Sequence, residues 1–210
     1  MTRYVVLVHG FLRRGRNMRY LARELEQRGY RAITPTLPTV FRGIRACGEA
    51  LARTLETRIP KGSVAHFVGH SMGGLVIRDY LSRQAVEGLG KVVLIGTPNG
   101  GSRYANWLLE LPFSQEVFES LPDLAEPGPD IAPPLNVPPP DIGIIAGTRP
   151  DPVRNILLPG EHDGLVAVES VRRIAASDEM LIPCAHEWLH WRLDTAEAVA
   201  SFLETGKFHG

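Results

Sequence analysis

Residues 64–77 read VAHFVGHSMGGLVI, and this stretch decides the fold. Val64–Val68 is an apolar, β-rich run that predicts a strand. Residues 72–86 place apolar side chains at helical spacing and predict a helix. Between them, Gly69-His70-Ser71-Met72-Gly73 is a G-x-S-x-G pattern. Set between strand and helix, it predicts a sharp turn that holds the serine in strained backbone geometry at the strand's C-terminal end. Glycines two before and two after Ser71 let strand and helix pass without Cβ clashes. The helix N-terminus then lies beneath Ser71, where its dipole favours developing negative charge. Ser71 is therefore expected to be a nucleophile. The alternative is a glycine-rich turn with no chemistry.

Outward from this turn, strands and helices alternate. Short, near-continuously apolar runs occur at 4–8, 31–36, 92–96, 142–147 and 179–183, as parallel strands covered on both faces require. Amphipathic segments at 17–28, 44–58 and 195–204 fall between or beyond them. In the first, Met18, Leu21, Ala22 and Leu25 share a face and Gly29 ends the helix. The alternation predicts βαβ units with right-handed crossovers. The expected fold is α/β: a compact, mostly parallel sheet of about six strands with helices on both faces, residues 1–210 forming a single domain. Residues 107–141 break the rhythm. They carry Trp107, Leu108, Leu109, Phe113, Phe118, Leu121 and Leu124, then a proline-rich run ending in Pro138-Pro139-Pro140. The segment is too long for a tight connection. Its second half suits neither helix nor strand, because proline lacks an N–H. It reads either as a surface excursion packed on the body or as a lid or cleft wall.

A serine nucleophile needs a base to take its proton, and the base needs an orienting carboxylate. After such a turn the acid comes next in the chain and the histidine last. Asp163, in Glu161-His162-Asp163-Gly164-Leu165-Val166, follows the 142–147 strand and is the expected acid; Asp151 and Glu161 compete with it. His186, in Pro183-Cys184-Ala185-His186, lies just past the final strand and is the expected base. His190 is read as its neighbour or a core residue. Val8-His9-Gly10-Phe11 follows the first strand, and the backbone N–H groups of Phe11 and Met72 are the expected oxyanion donors. His9 is read as a structural histidine bonded to backbone, His66 as a core histidine, and His70 as pointing away from the pocket. The pairs His162–Asp163 and His186–His190 lack a third spaced ligand, so no metal is expected.

Composition narrows the rest. Formal net charge is zero, which gives no global signal for nucleic acid. Cys47 and Cys184 make no disulfide framework. No apolar run approaches the roughly 18 residues of a membrane span. The 4–8 strand follows almost directly on Met1, so no signal peptide is expected and a cytoplasmic location is. Charge is uneven: residues 1–62 hold thirteen Lys/Arg against four Asp/Glu, whereas 104–148 hold seven Asp/Glu and no Lys or Arg. Arg13, Arg14 and Arg16 directly follow the 9–11 loop. They would concentrate anionic substrates, or hold the acidic segment over the cleft, or be simply solvated.

V-H-G-F at 8–11, G-H-S-M-G-G-L-V at 69–76, G-T-P-N-G-G-S at 96–102, D-G-L-V at 163–166 and P-C-A-H at 183–186 share a likeness. Together they resemble the lipase/esterase branch of the α/β-hydrolase superfamily over about residues 4–205, in particular small bacterial triacylglycerol-lipase-like and inositol-deacylase-like serine hydrolases. The resemblance implies Ser71, Asp163 and His186 as a triad, Phe11 and Met72 as oxyanion donors, and no cofactor. It implies hydrolysis of a small-molecule carboxylic ester or a lipid through an acyl-enzyme. The same triad serves acyl transfer or thioester hydrolysis; a catalytically silent scaffold relative is the reading from another class. Asn99 stands where G-T-P-x-x-G-S often has histidine, and it is not read as catalytic.

Overall fold

The computed structural model describes residues 2–150 and 158–208. Its sheet has six strands: β1 (Arg3–Val8), β2 (Arg31–Ile33), β3 (Val64–His70), β4 (Leu89–Ile95), β5 (Ile142–Gly147) and β6 (Asp178–Ile182). They lie in the order β2-β1-β3-β4-β5-β6, and each neighbouring pair is parallel. Eight helices accompany them among the described residues: α1 (Arg19–Glu26), α2 (Ile44–Arg58), α3 (Met72–Arg83), α4 (Arg103–Leu109), α5 (Ser114–Val117), α6 (Leu121–Leu124), α7 (Val168–Val171) and α8 (Leu193–Thr205). None is long and apolar enough to cross a membrane.

Strand side chains alternate between faces, and the sequence exploits this to build two cores. Val6 and Val8 of β1 join Phe67, Leu94, Leu51, Leu75 and Ile77 on the side of α2 and α3. Val5 and Leu7 join Val68, Val93, Ile145, Leu21, Leu25, Val199 and Phe202 on the side of α1 and α8. Both faces are thus covered, as the unbroken apolar runs require. Each fully buried Leu or Phe contributes roughly 1.5–3 kcal/mol of transfer free energy.

The α/β fold is the one expected, and the departures are local. β2 stops at Ile33, because Pro35 has no N–H to give a ladder. β4 starts earlier than expected, at Leu89, which pairs with Ala65 across a register shift. Two 3-10 turns, Gly15–Met18 and His186–Trp191, were not foreseen. The excursion begins with three short helices, α4 to α6, and then runs irregularly to Asp141. Its proline-rich part is fastened to the end of α3: Leu135 N–H donates to Leu81 O at 2.9 Å, and the Asn136 amide exchanges bonds of 3.0 and 2.9 Å with the Val86 backbone.

Candidate active site

The site gathers at the C-terminal ends of β1, β3 and β4, where an open parallel sheet leaves its crevice. Ser71 sits between β3 and α3 with φ 57° and ψ −129°, a conformation that side chains resist. Its N–H is held by Ile95 O at 2.8 Å, and its carbonyl accepts from Gly74 N–H at 3.0 Å. A Cβ on Gly69 would come within 2.5 Å of Gly74, and one on Gly73 within 2.2 Å of Val8 O. Both glycines are therefore steric requirements of the turn. Met72 is the first residue of α3, and the N–H of a first helical residue has no acceptor within its own helix.

The loop after β1 is held by a buried histidine. Leu37 N–H donates to His9 Nε2 at 3.0 Å, so the neutral ring carries its proton on Nδ1 and donates to Gly10 O at 2.9 Å. Thr39 Oγ1 gives the same carbonyl a second bond at 3.3 Å. In a trans peptide, N–H and C=O point in opposite directions. Fixing Gly10 O on one side thus turns the Phe11 N–H to the other, and Gly10 and Phe11 line the cleft beside Ser71. His9 is the backbone-bonded structural residue expected, its pKa lowered mainly by burial.

His186 Nδ1 and Asp163 Oδ2 are 2.7 Å apart, both side chains buried. The other carboxylate oxygen of Asp163 accepts from Leu165 N–H at 3.0 Å and Val166 N–H at 2.8 Å. The backbone N–H of His186 donates to Asp163 O at 3.0 Å. A carboxylate oxygen only accepts, so the Nδ1 proton points at Asp163 and the neutral ring keeps its lone pair on Nε2. His186 and Ser71 line the same cleft. The Ser71 hydroxyl donates to no acceptor among the described residues and is free to turn toward the ring. Glu161 is exposed and takes no part; Asp151 lies outside the described residues.

His70 and His190 stand behind His186. His70 Nε2 donates to His186 O at 3.1 Å, and its ring centre lies 4.9 Å from that of His186 and 4.1 Å from that of His190. His70 was expected to point away from the pocket; its ring is buried, but it lines the cleft wall. Both ring nitrogens of His190 lack a partner among the described residues. Burial, then the electrostatic influence of His186 and Arg13, lowers His190 to about 3, and burial holds His70 well below the usual histidine value. Neither thiol competes as nucleophile: burial pushes Cys47 up to about 12 and raises Cys184.

The cleft encloses about 370 Å³. Its apolar wall comes largely from the excursion, through Leu108, Phe118, Leu121 and Leu124. Phe118 packs edge-on against Phe11 with ring centres 5.5 Å apart, and Ser102, which caps α4, donates its hydroxyl to Leu165 O. The first part of the excursion is therefore a cleft wall, tied to the 9–11 loop through Phe118 and to the 163–166 loop through the cap of α4. Ser102, Tyr104, Arg13 and Glu187 also line the cleft; sequence reading missed Ser102, Tyr104 and Glu187, because nothing in their local pattern differs from an ordinary cap, helix or turn. Asn99 is structural: it accepts from Arg78 and donates to Val171 O at 2.8 Å. Pairing of Arg13, Arg14 and Arg16 with the acidic segment, one of the three readings of these arginines, is absent among the described residues, where Glu119 instead faces Arg42 and Glu126 faces Arg103.

The sequence signature of the alpha/beta hydrolase family matches residues 5–205. No curated protein matches the chain by sequence. Among solved structures, the mature lipase BlEst2 of Bacillus licheniformis superposes with a TM-score of 0.72 at 18% identity, over 89% of this chain and 85% of that one. Its propeptide form covers the same 89% of this chain, which spans only 46% of that longer molecule. A pyrethroid hydrolase from Sphingobium faniae JZ-2 gives a TM-score of 0.66 at 16% identity, over 98% of both chains. The metagenomic carboxyl esterase MGS0156 gives 0.69 at 17% identity, over 88% of this chain and 64% of that one.

Proposed function

This chain belongs to the alpha/beta hydrolase family, and from that premise we propose that it is a serine ester hydrolase acting through Ser71, His186 and Asp163. The observation that carries the reading is the 2.7 Å His186–Asp163 bond in the same cleft as a serine held at positive φ. Ser71 Oγ attacks the acyl carbon of a carboxylic ester while His186 Nε2 takes its proton. The Phe11 and Met72 N–H groups hold the oxyanion. His186 returns the proton to the leaving alkoxide, and the alcohol departs. Water, deprotonated by the same nitrogen, then attacks the acyl-enzyme and releases the acid. No cofactor enters these steps. The apolar wall of Leu108, Phe118, Leu121 and Leu124 receives the apolar portion of the substrate, which makes a small-molecule ester or a lipid the substrate class. The chain acts as one domain, with the excursion as its cleft wall.

The test is labelling with a fluorophosphonate probe together with p-nitrophenyl esters of increasing acyl length. Wild type should label on Ser71 and hydrolyse the esters. Folded Ser71→Ala should do neither, and full turnover by that variant would end the reading. Adding an alcohol or thiol acceptor separates hydrolysis from acyl transfer by the product formed.

A further inference from the structure

A second cavity, of about 510 Å³, lies under the proline-rich part of the excursion and shares no lining residue with the catalytic cleft. Its walls are mostly apolar: Leu81 of α3, Val92 in the middle of β4, Ile142 at the start of β5, Ile131, Ile174 and prolines 133, 134, 139 and 140. It falls within the roughly 300–1,000 Å³ typical of small-molecule sites. Arg78 of α3 is the one charged side chain in this wall among the described residues.

Arg78 is half-buried, and burial lowers its pKa. It nevertheless keeps its charge at neutral pH, as guanidinium groups do. Its bonds go to neutral acceptors only: Nη1 to Asn99 Oδ1 at 3.0 Å and Nη2 to Ile131 O at 3.4 Å. Asn99 is itself fixed by its bond to Val171 O. No carboxylate pairs with Arg78 among the described residues. Of five N–H donors, these two are the ones used among the described residues, and Arg78 lines the apolar space. A partly buried cation without a carboxylate partner beside an apolar cavity is costly to maintain, and a monoanion with an apolar body removes that imbalance.

We propose that this cavity binds an aliphatic monocarboxylate, its chain among the prolines and isoleucines and its carboxylate on Arg78. A carboxylate matches the planar guanidinium edge and brings one charge to one cation. A phosphate dianion would leave a net negative charge among apolar walls. The site is separate from the catalytic cleft, so its occupancy does not depend on the proposed reaction.

The experiment is a methyl-detected NMR titration of the whole chain with sodium octanoate and, separately, 1-octanol. Octanoate should saturably shift the methyl signals of Ile131, Ile142, Ile174 and Val92, with Kd at least about tenfold below that of octanol, the worth of a charge-assisted bond. Signals of Leu121, Leu165 and Val166 report the catalytic cleft, so binding there is seen separately. Arg78→Met, which keeps the apolar stem, should bring the octanoate Kd at Ile131 and Ile174 up to that of octanol; Arg78→Lys should keep part of the difference. If Arg78→Met unfolds, the octanoate-to-octanol ratio in wild type decides. Absence of shifts at these four methyls, or a ratio below tenfold, overturns the proposal.

Discussion

His186 donates Nδ1–H to Asp163 across 2.7 Å, while its own backbone N–H donates to the carbonyl of the same aspartate at 3.0 Å. Asp163 therefore holds both the ring and the main chain of His186. Asp163→Asn puts an amide where the ring proton needs an acceptor and destabilises the tautomer with a free Nε2. Loss of about 10³–10⁴ in kcat is expected, with KM little changed. Folded His186→Ala should lose activity to the same order or more, whereas His190→Ala should keep at least a tenth. Steady-state kinetics on one p-nitrophenyl ester ranks the three; a damaging His190→Ala beside a mild His186→Ala would move the base.

Ser71 also predicts a stability effect. Its φ of 57° and ψ of −129° fall where only glycine is at ease. Such strain is worth about 1–3 kcal/mol. The added unfolded-state entropy of glycine is about 0.4–1 kcal/mol, so strain relief wins. Ser71→Gly should melt above Ser71→Ala by roughly 2–4 °C per kcal/mol of net gain for a chain of this size. Calorimetry of the two inactive variants measures this, and equal or reversed melting temperatures would show that the turn stores no strain.

Much of this site was legible because its parts obey local rules. The turn at Ser71 is written in glycines that sterics alone demand. The 44–58 helix follows its apolar spacing from end to end, matching α2. Asp163 and His186 could be placed by strand endings. The parts that were not legible depend on partners far along the chain. Nothing local says that Asn99 will orient Arg78, or that Phe118 will pack on Phe11. The 3-10 turn at His186–Trp191 follows from tying His186 N–H to Asp163 O, a contact that no helical periodicity encodes. The cleft wall was ambiguous for the same reason: its helices are too short to carry a period.

Buried histidines predict the acid limb of stability. Burial lowers His66 to about 4 and His190 to about 3. A depressed folded-state value means that the unfolded chain takes up protons first as pH falls below about 6.5. Stability conferred by the neutral ring is therefore complete above that pH. It is lost progressively between about 6.5 and the folded value, by up to about 1.4 kcal/mol per pH unit for each ring. His190→Phe removes one such titration and two unpartnered ring nitrogens while keeping an aromatic ring against His70. Urea midpoints from pH 7.5 to 4 should fall less steeply in His190→Phe than in wild type. A parallel pair of curves would show that His190 does not titrate on unfolding.

Arg13 predicts charge selectivity. It is exposed, lines the cleft and follows directly on the Gly10-Phe11 loop. No ion pair joins it to the acidic segment among the described residues, so its field is available to an incoming ligand. A cation at the mouth of a cleft raises the local concentration of anions and their association rate. The effect is screened over about 8 Å at physiological ionic strength, so it belongs to low salt. For an anionic ester such as a hemisuccinate, kcat/KM should fall by up to about tenfold from low to high salt. A neutral ester of similar size should be nearly indifferent. Arg13→Gln should flatten the salt dependence of the anionic ester, with the change in KM rather than kcat, since the charge acts on encounter and not on the reacting carbonyl. Arg14→Gln, on a residue that does not line the cleft, is the control. If the anionic ester shows the same salt slope in Arg13→Gln as in wild type, Arg13 is a solvated surface charge and selectivity must come from elsewhere in the wall.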